Sequence, residues 1–207
     1  MKRKFQHIAY LLMVAAVITS CGEKKQTSEF PDWAWADFQR PEGINPIVSP
    51  DTTTVFYCPM RQDSVAWESS DTFNPAATIY DGKVVVLYRA EDNSAVGIGS
   101  RTSRLGYAYS DDGLHFNRMT VPVFYPADDN QKELEWPGGC EDPRVAVTDD
   151  GLYVMLYTQW NRKQARLAVA TSRDLQIWEK YGPAFAKAYG GRFFDEFSKS
   201  ASIVTKL

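Results

Sequence analysis

The chain has 207 residues, 44% apolar and 14% aromatic, a composition that supports one buried core and excludes a disordered or fibrous protein. A formal net charge of −3 leaves no basic footprint, so nucleic acid is not an expected partner. The only histidines are His7 and His115, and no His/Cys cluster has zinc spacing, which argues against a metal site and against a Ser-His triad.

In chain order, Lys2, Arg3 and Lys4 precede an apolar stretch from Ile8 to Thr19 that is too short to span a bilayer. It ends in Ile18-Thr19-Ser20-Cys21, which resembles the lipobox of bacterial lipoproteins, where the cysteine is lipidated and becomes the mature N-terminus. Residues 1–20 are therefore expected to be a signal peptide, Cys21 the lipidated residue and the polar stretch 21–29 a flexible tether. The expectation is an exported lipoprotein, at the outer membrane or cell surface or on the periplasmic face, that meets the membrane only through its lipid. Cys58 and Cys140 remain, either paired or as two buried thiols.

Residues 30–207 read as one domain. From Phe30 to Trp67, Pro31, Pro41, Gly43, Pro46, Pro50 and Pro59 interrupt short runs such as Thr53 to Tyr57, which predicts a covering arm with one or two irregular strands. A strand follows over Phe73 to Tyr80, then the turn Asp81-Gly82, a strand over Lys83 to Ala90, a polar loop to Ser103, a strand over Leu105 to Ser110, the turn Asp111-Asp112-Gly113 and a short strand from Leu114. The pattern then recurs: Glu141 to Val147, Asp150-Gly151, Leu152 to Thr158, a polar loop, Arg166 to Ser172 and Leu175 to Trp178. Pro75 and Pro143, Tyr88 and Tyr157, Arg104 and Arg166, and Leu105 and Leu167 are the matching positions, with one short deletion in the middle loop. Four short antiparallel strands repeated in this way are the signature of a β-propeller blade. A third unit opens near Phe197 to Thr205, so the chain reads as the front portion of a longer propeller.

The first strand of a blade lines the central channel. Asn74-Pro75, Asp142-Pro143 and Lys199-Ser200 stand at the matching entries of successive units, which predicts that Asn74, Asp142 and Lys199 converge on one axial pocket. Glu141 and Asp142 are neighbours on an extended chain, so their side chains are expected on opposite faces. A second carboxylate for Asp142 would then come from Glu91, Asp92, Glu68 or a residue outside this chain. An arginine beside Asp142 would favour its ionised form, so Arg144 is expected to point away from it.

Phe73-Asn74-Pro75-Ala76-Ala77, Leu87 to Asp92, Ser103 to Ala108 with Ser110 to Gly113, Gly139-Cys140-Glu141-Asp142-Pro143-Arg144, and Ala168 to Leu175 with Trp178 together resemble glycoside hydrolase family 130, over about residues 40 to 205. The resemblance implies an all-β fold, a five-bladed β-propeller of which about the first three blades are represented. It implies cleavage of β-mannosidic linkages in mannose-containing oligosaccharides, with inversion and with Asp142 as general acid. It also implies Asn74, Arg89, Asp92 and Arg104 around the mannosyl subsite or its rim. Lys199 belongs to a cationic region that would hold phosphate. No cofactor is implied, with inorganic phosphate as co-substrate if the enzyme is a phosphorylase. Export favours hydrolysis, since a sugar phosphate made outside the cytoplasm is lost to the cell. The alternatives are a β-mannoside phosphorylase, a non-catalytic glycan-binding lipoprotein with Trp160 and Tyr107 as stacking platforms, and a five-bladed glycosidase of furanosides or fructans.

Overall fold

The structure, a computed structural model, describes residues 38–205. The expected signal peptide, the lipidated Cys21, the tether and the first residues of the expected domain lie outside the described residues.

From Pro41 onward the chain folds as two four-stranded antiparallel units and a small hairpin. The hairpin pairs β1 (Phe56–Cys58) with β2 (Asp63–Val65) and lies within the stretch read as a covering arm. The first unit is β3 (Asp71–Tyr80), β4 (Lys83–Glu91), β5 (Ser103–Ser110) and β6 (Asn117–Arg118). A helical turn, α1 (Lys132–Glu135), leads to the second unit: β7 (Gly139–Val147), β8 (Tyr153–Trp160), β9 (Ala165–Ser172) and β10 (Glu179–Pro183). Each unit is one propeller blade, and a parallel bridge between Ser103 and Gly139 joins them into one sheet path. Residues 198–205 carry no strand, and Ser198 docks on β9 by donating its amide to the Ala165 carbonyl.

The strands alternate as a period of two requires. Val85 and Leu87 of β4 face the core between the blades, with Leu105, Tyr107, Tyr153, Met155 and Tyr157. Val86 and Tyr88 face the other way, onto Phe56, Cys58, Val65 and Trp67 of the arm. Covering β4 on both faces is why its sequence is a continuous apolar run rather than an alternating one. Tyr107 is thereby buried in the inter-blade core, which removes it as a sugar-stacking platform. Cys58 and Cys140 are two separate buried thiols.

The fourth strand of each blade begins later than the sequence reading placed it, at Asn117 and Glu179 rather than at Leu114 and Leu175. Side chains take over the turn in between. Asp112 accepts from the Leu114 and His115 amides, and Ser110 accepts from Gly113. Asp174 and Ser172 repeat this with Gln176, Ile177 and Leu175. Such turns hold the backbone off the ladder for several residues. Asp81-Gly82 does form the tight turn expected of it, with φ of 49° and 71° at the two positions.

Gly139 carries the junction between blades. Its φ is +116°, and a Cβ there would lie 2.2 Å from the Ser103 carbonyl oxygen. Gly151 also has a positive φ, +79°, but nothing lies within 4 Å of where its Cβ would be. Gly139→Ala is therefore expected to destabilise by more than about 2 kcal/mol, and Gly151→Ala by about 1 kcal/mol from backbone strain alone. Urea denaturation of the two variants against the wild type measures both, and equal midpoints for the pair would contradict the crowding at Ser103.

Candidate active site

The site is built on two matching defects in the innermost strands. β3 and β7 each lose register with the next strand at an Xaa-Pro pair, between Phe73 and Ala76 and between Glu141 and Arg144. Proline has no N–H for the ladder, and the preceding residue takes a left-handed φ, 45° at Asn74 and 51° at Asp142. Asn and Asp are the side-chain-bearing residues that tolerate this region best, though it still costs of order 1–3 kcal/mol. The distortion aims both side chains into the space between blades, where the Asn74 amide donates to Asp142 Oδ1 at 2.9 Å. Ser200 has a φ of 58°, so backbone equivalence in the third unit falls on Ser200, and Lys199 corresponds to Glu141.

The same distortion overturns the expectation that Glu141 and Asp142 face apart. A left-handed residue within a bulge breaks strand alternation, and both carboxylates reach one guanidinium. Arg89 Nη2 lies 2.9 Å from Glu141 Oε1, and Arg89 Nη1 donates to Asp142 Oδ1 at 3.0 Å. Lys199 Nζ stands 3.6 Å from Glu141 Oε2 and 3.5 Å from Asp142 Oδ2. Arg89 also donates to Glu91 at 2.5 Å and, through Nε, to Ser103 Oγ at 3.0 Å. Its guanidinium carbon lies 4.5 Å from the centroid of the Phe73 ring.

Burial pushes the Asp142 carboxyl up, but the Asn74 amide, Arg89 and Lys199 outweigh it and hold the group below the usual aspartate range. Burial likewise pushes Glu141 up, and there Arg89 and Lys199 do not outweigh it, with Asp142 and Glu91 adding to the rise. Two adjacent carboxyls are thus driven in opposite directions. The lowering at Asp142 runs against what direct proton donation needs, and its causes are the Asn74 amide first, then Arg89 and Lys199. Arg144 instead donates to the Pro143 carbonyl at 2.7 Å.

Of the six positions singled out in the domain, Asn74, Arg89, Asp142 and Lys199 come together. Asp92 and Arg104 form a separate buried ion pair at 2.9 Å, with Arg104 also against the Cys58 sulfur and Asp92 accepting from the Ser94 amide. Glu68 is engaged by Thr54 and Tyr88 beneath the arm. Glu141 and Ser103 were not picked out as members of the cluster. Ser103 faces Glu91 in the β4–β5 register, which the sequence does not show; the Glu141 orientation depends on a backbone angle that strand periodicity does not show.

Beside the carboxylates lies a cleft of about 170 Å³ whose lining combines the charged Arg89, Glu141 and Lys199 with Ile98, Gly99, Trp160, Ala165 and Phe197. Trp160 is fixed by its indole N–H to the Gly99 carbonyl at 2.7 Å and packs 6.2 Å from the Phe197 ring. Charged and aromatic groups lining one cleft suit a pyranose ring, whose edge is polar and whose face is apolar.

A family profile described as β-1,4-mannooligosaccharide phosphorylase matches residues 39–206. A 1,2-β-oligomannan phosphorylase of Thermoanaerobacter sp. (strain X514) is 37% identical over 141 residues, covering 66% of this chain and 43% of its own. A crystal structure of a candidate glycosidase from Bacteroides thetaiotaomicron VPI-5482 is 99% identical with a TM-score of 0.82, covering 84% of this chain and 50% of that one. Another, 70% identical with a TM-score of 0.81, covers 83% of this chain and 48% of its own; it comes from work on glycoside hydrolases, within a family of mannoside phosphorylases, that target β-1,2 mannosidic linkages in Candida mannan. The chain spans about half the length of these structures, and less than half of the curated relative.

Removing Arg89 tests the electrostatics. In the wild type, the depressed Asp142 contributes stability that is full above the ordinary aspartate range and is lost as pH falls through its own lower value. In Arg89→Met, Glu141 and Asp142 keep only the half-exposed Lys199 as a cation, their folded-state pKa values rise, and the penalty is greatest at neutral pH. A loss of about 3–5 kcal/mol at pH 7 is expected, narrowing as the pH is lowered through the carboxylate range. Denaturation of both proteins at several pH values measures it, and a deficit that does not change with pH would contradict this account.

Proposed function

The chain belongs to glycoside hydrolase family 130, and from that premise we propose that the protein hydrolyses β-1,2-mannosidic bonds in mannooligosaccharides, with Asp142 as proton donor to the leaving oxygen. The observation that carries this reading is the convergence of Asn74 and Arg89, from one blade, on Asp142 from the next. Substitutions elsewhere in a sheet have no reason to meet in this way. A donor must first hold a proton, and the contact most open to change is Lys199, whose side chain is 42% exposed. A sugar that seats against Trp160 and displaces Lys199 would remove one cation and much of the water around Asp142. Both changes raise its pKa. Glu91, Asp92 and Glu68 are each engaged by buried partners, so the proposal assigns the donor alone.

Hydrolysis is favoured over phosphorolysis on two grounds. The 70% identical structure comes from work on hydrolases of β-1,2 linkages, whereas the phosphorylase names belong to relatives near 37% identity and to the family profile. The cations lining the cleft, Arg89 and Lys199, are each within ion-pair distance of at least two carboxylates, which leaves little positive charge among the described residues for a phosphate dianion. Family phosphorylases use inorganic phosphate as co-substrate and need no cofactor. In this reading the N-terminal signal and Cys21 hold the enzyme outside the cytoplasm, where hydrolysis yields a sugar that can still be taken up.

Incubating the protein with β-1,2- and β-1,4-mannobiose, with and without phosphate, tests the proposal. Mannose is expected from the β-1,2 substrate without phosphate, and Asp142→Asn is expected to lower the rate by about 10²- to 10⁴-fold. Release that requires phosphate makes the protein a phosphorylase. Binding of mannobiose with no release under either condition makes it a glycan-binding protein.

A further inference from the structure

Three carboxyl groups, Glu91, Glu141 and Asp142, surround the buried guanidinium of Arg89. They are not equally served. Asp142 Oδ1 accepts from Asn74 and from Arg89, and Glu91 Oε1 accepts from Arg89 and from Ser103. Glu141 Oε1 is buried and, although 2.9 Å from Arg89 Nη2, receives no aligned hydrogen bond; Glu91 Oε2 is also buried without one, but Glu91 Oε1 accepts two, whereas neither Glu141 oxygen accepts any among the described residues.

We propose that Glu141 is the member of this cluster that keeps its proton to the highest pH, and that while it is neutral Arg89 and Lys199 hold Asp142 ionised. The groups that face Glu141 are Arg89 and Glu91 from β4, Asp142 beside it on β7, Thr158 opposite it on β8 and Lys199 from the third unit. Arg101 stands beyond Glu91 at 3.6 Å and is itself paired with Asp71. Against Arg89 and a half-exposed Lys199, two ionised carboxylates already balance the charge, and a third would stand buried without a donor. The proton goes to the carboxyl with the poorest hydrogen bonding. Burial and the nearby Asp142 and Glu91 charges act in the same direction. A neutral Glu141 also changes what the cleft offers a sugar. It presents an O–H donor on the wall where an ionised group would present only acceptors.

The inference goes beyond the proposed reaction, because it concerns the charge state of the empty site and holds whichever bond is cleaved. Carbon-13 NMR titration of protein labelled at the Asp and Glu carboxyl carbons tests it without an activity assay, with Glu141→Gln and Asp142→Asn spectra assigning the two signals. Glu141 is expected to titrate above the ordinary glutamate value of about 4.3, through a range where Asp142 is already ionised. In Glu141→Gln the Asp142 midpoint is expected to move by less than about half a unit, since a neutral amide replaces a neutral acid. A Glu141 midpoint at or below the ordinary value overturns the proposal. So does a fall of about one unit or more at Asp142 in Glu141→Gln, which would mean that a like charge had been removed.

Discussion

The Arg89 guanidinium is the constraint from which the rest of this site follows. A cation with a side chain only 4% exposed is tolerated in a protein interior only when its charge and its donors are met. Here the chain supplies three carboxyl groups, a hydroxyl and an aromatic face around it. Because these come from β3, β4, β5 and β7, fixing the one side chain fixes the spacing between two blades at their inner edge. The geometry that brings Asn74 to Asp142 is therefore held by an ion-pair network as well as by the apolar core that lies between the sheets.

That network works only because the innermost strands are irregular. An ideal strand would send Glu141 and Asp142 to opposite faces and divide the charge between two environments. The Asn-Pro and Asp-Pro bulges break the ladder at corresponding points of successive units, and the left-handed residue in each brings a polar group inward. The same backbone device carries an amide in one unit, an acid in the next and a hydroxyl at Ser200 in the third. A repeated scaffold thus yields different functional groups at matching positions, of which Asn74 and Asp142 meet, and the local strain is concentrated where they do.

How much of this could be read in advance differed by level. The repeat, the two-sided burial of β4 and the Asp81-Gly82 turn follow from hydrophobic period and turn chemistry, which are local properties of the chain. The late start of β6 and β10 is hidden because Ser110 with Asp112, and Ser172 with Asp174, wrap the backbone through side-chain bonds that strand periodicity does not show; only the first of these turns contains an Asp-Gly pair. At the site, matching Asn74 to Asp142 across the repeat was possible because both precede proline. Arg89 and Glu91 share a face by strand alternation. The Glu141 position was not legible, since it depends on the sign of one backbone angle. Nor was the separation of Asp92 and Arg104 from the cluster, because their charges meet each other through a cross-strand pairing that the sequence does not reveal.

Lys199 reaches the carboxylate pair from outside the two complete blades. During vectorial synthesis on the ribosome, both blades can form before this lysine emerges, and the nascent site then holds its acids with Arg89 as the nearest cation. Arrival of the third segment, which also docks on β9 through Ser198, adds the missing positive charge. Among the described residues, Arg89 and both acids therefore precede Lys199 in order of synthesis, so the pocket's charge balance changes when that segment docks.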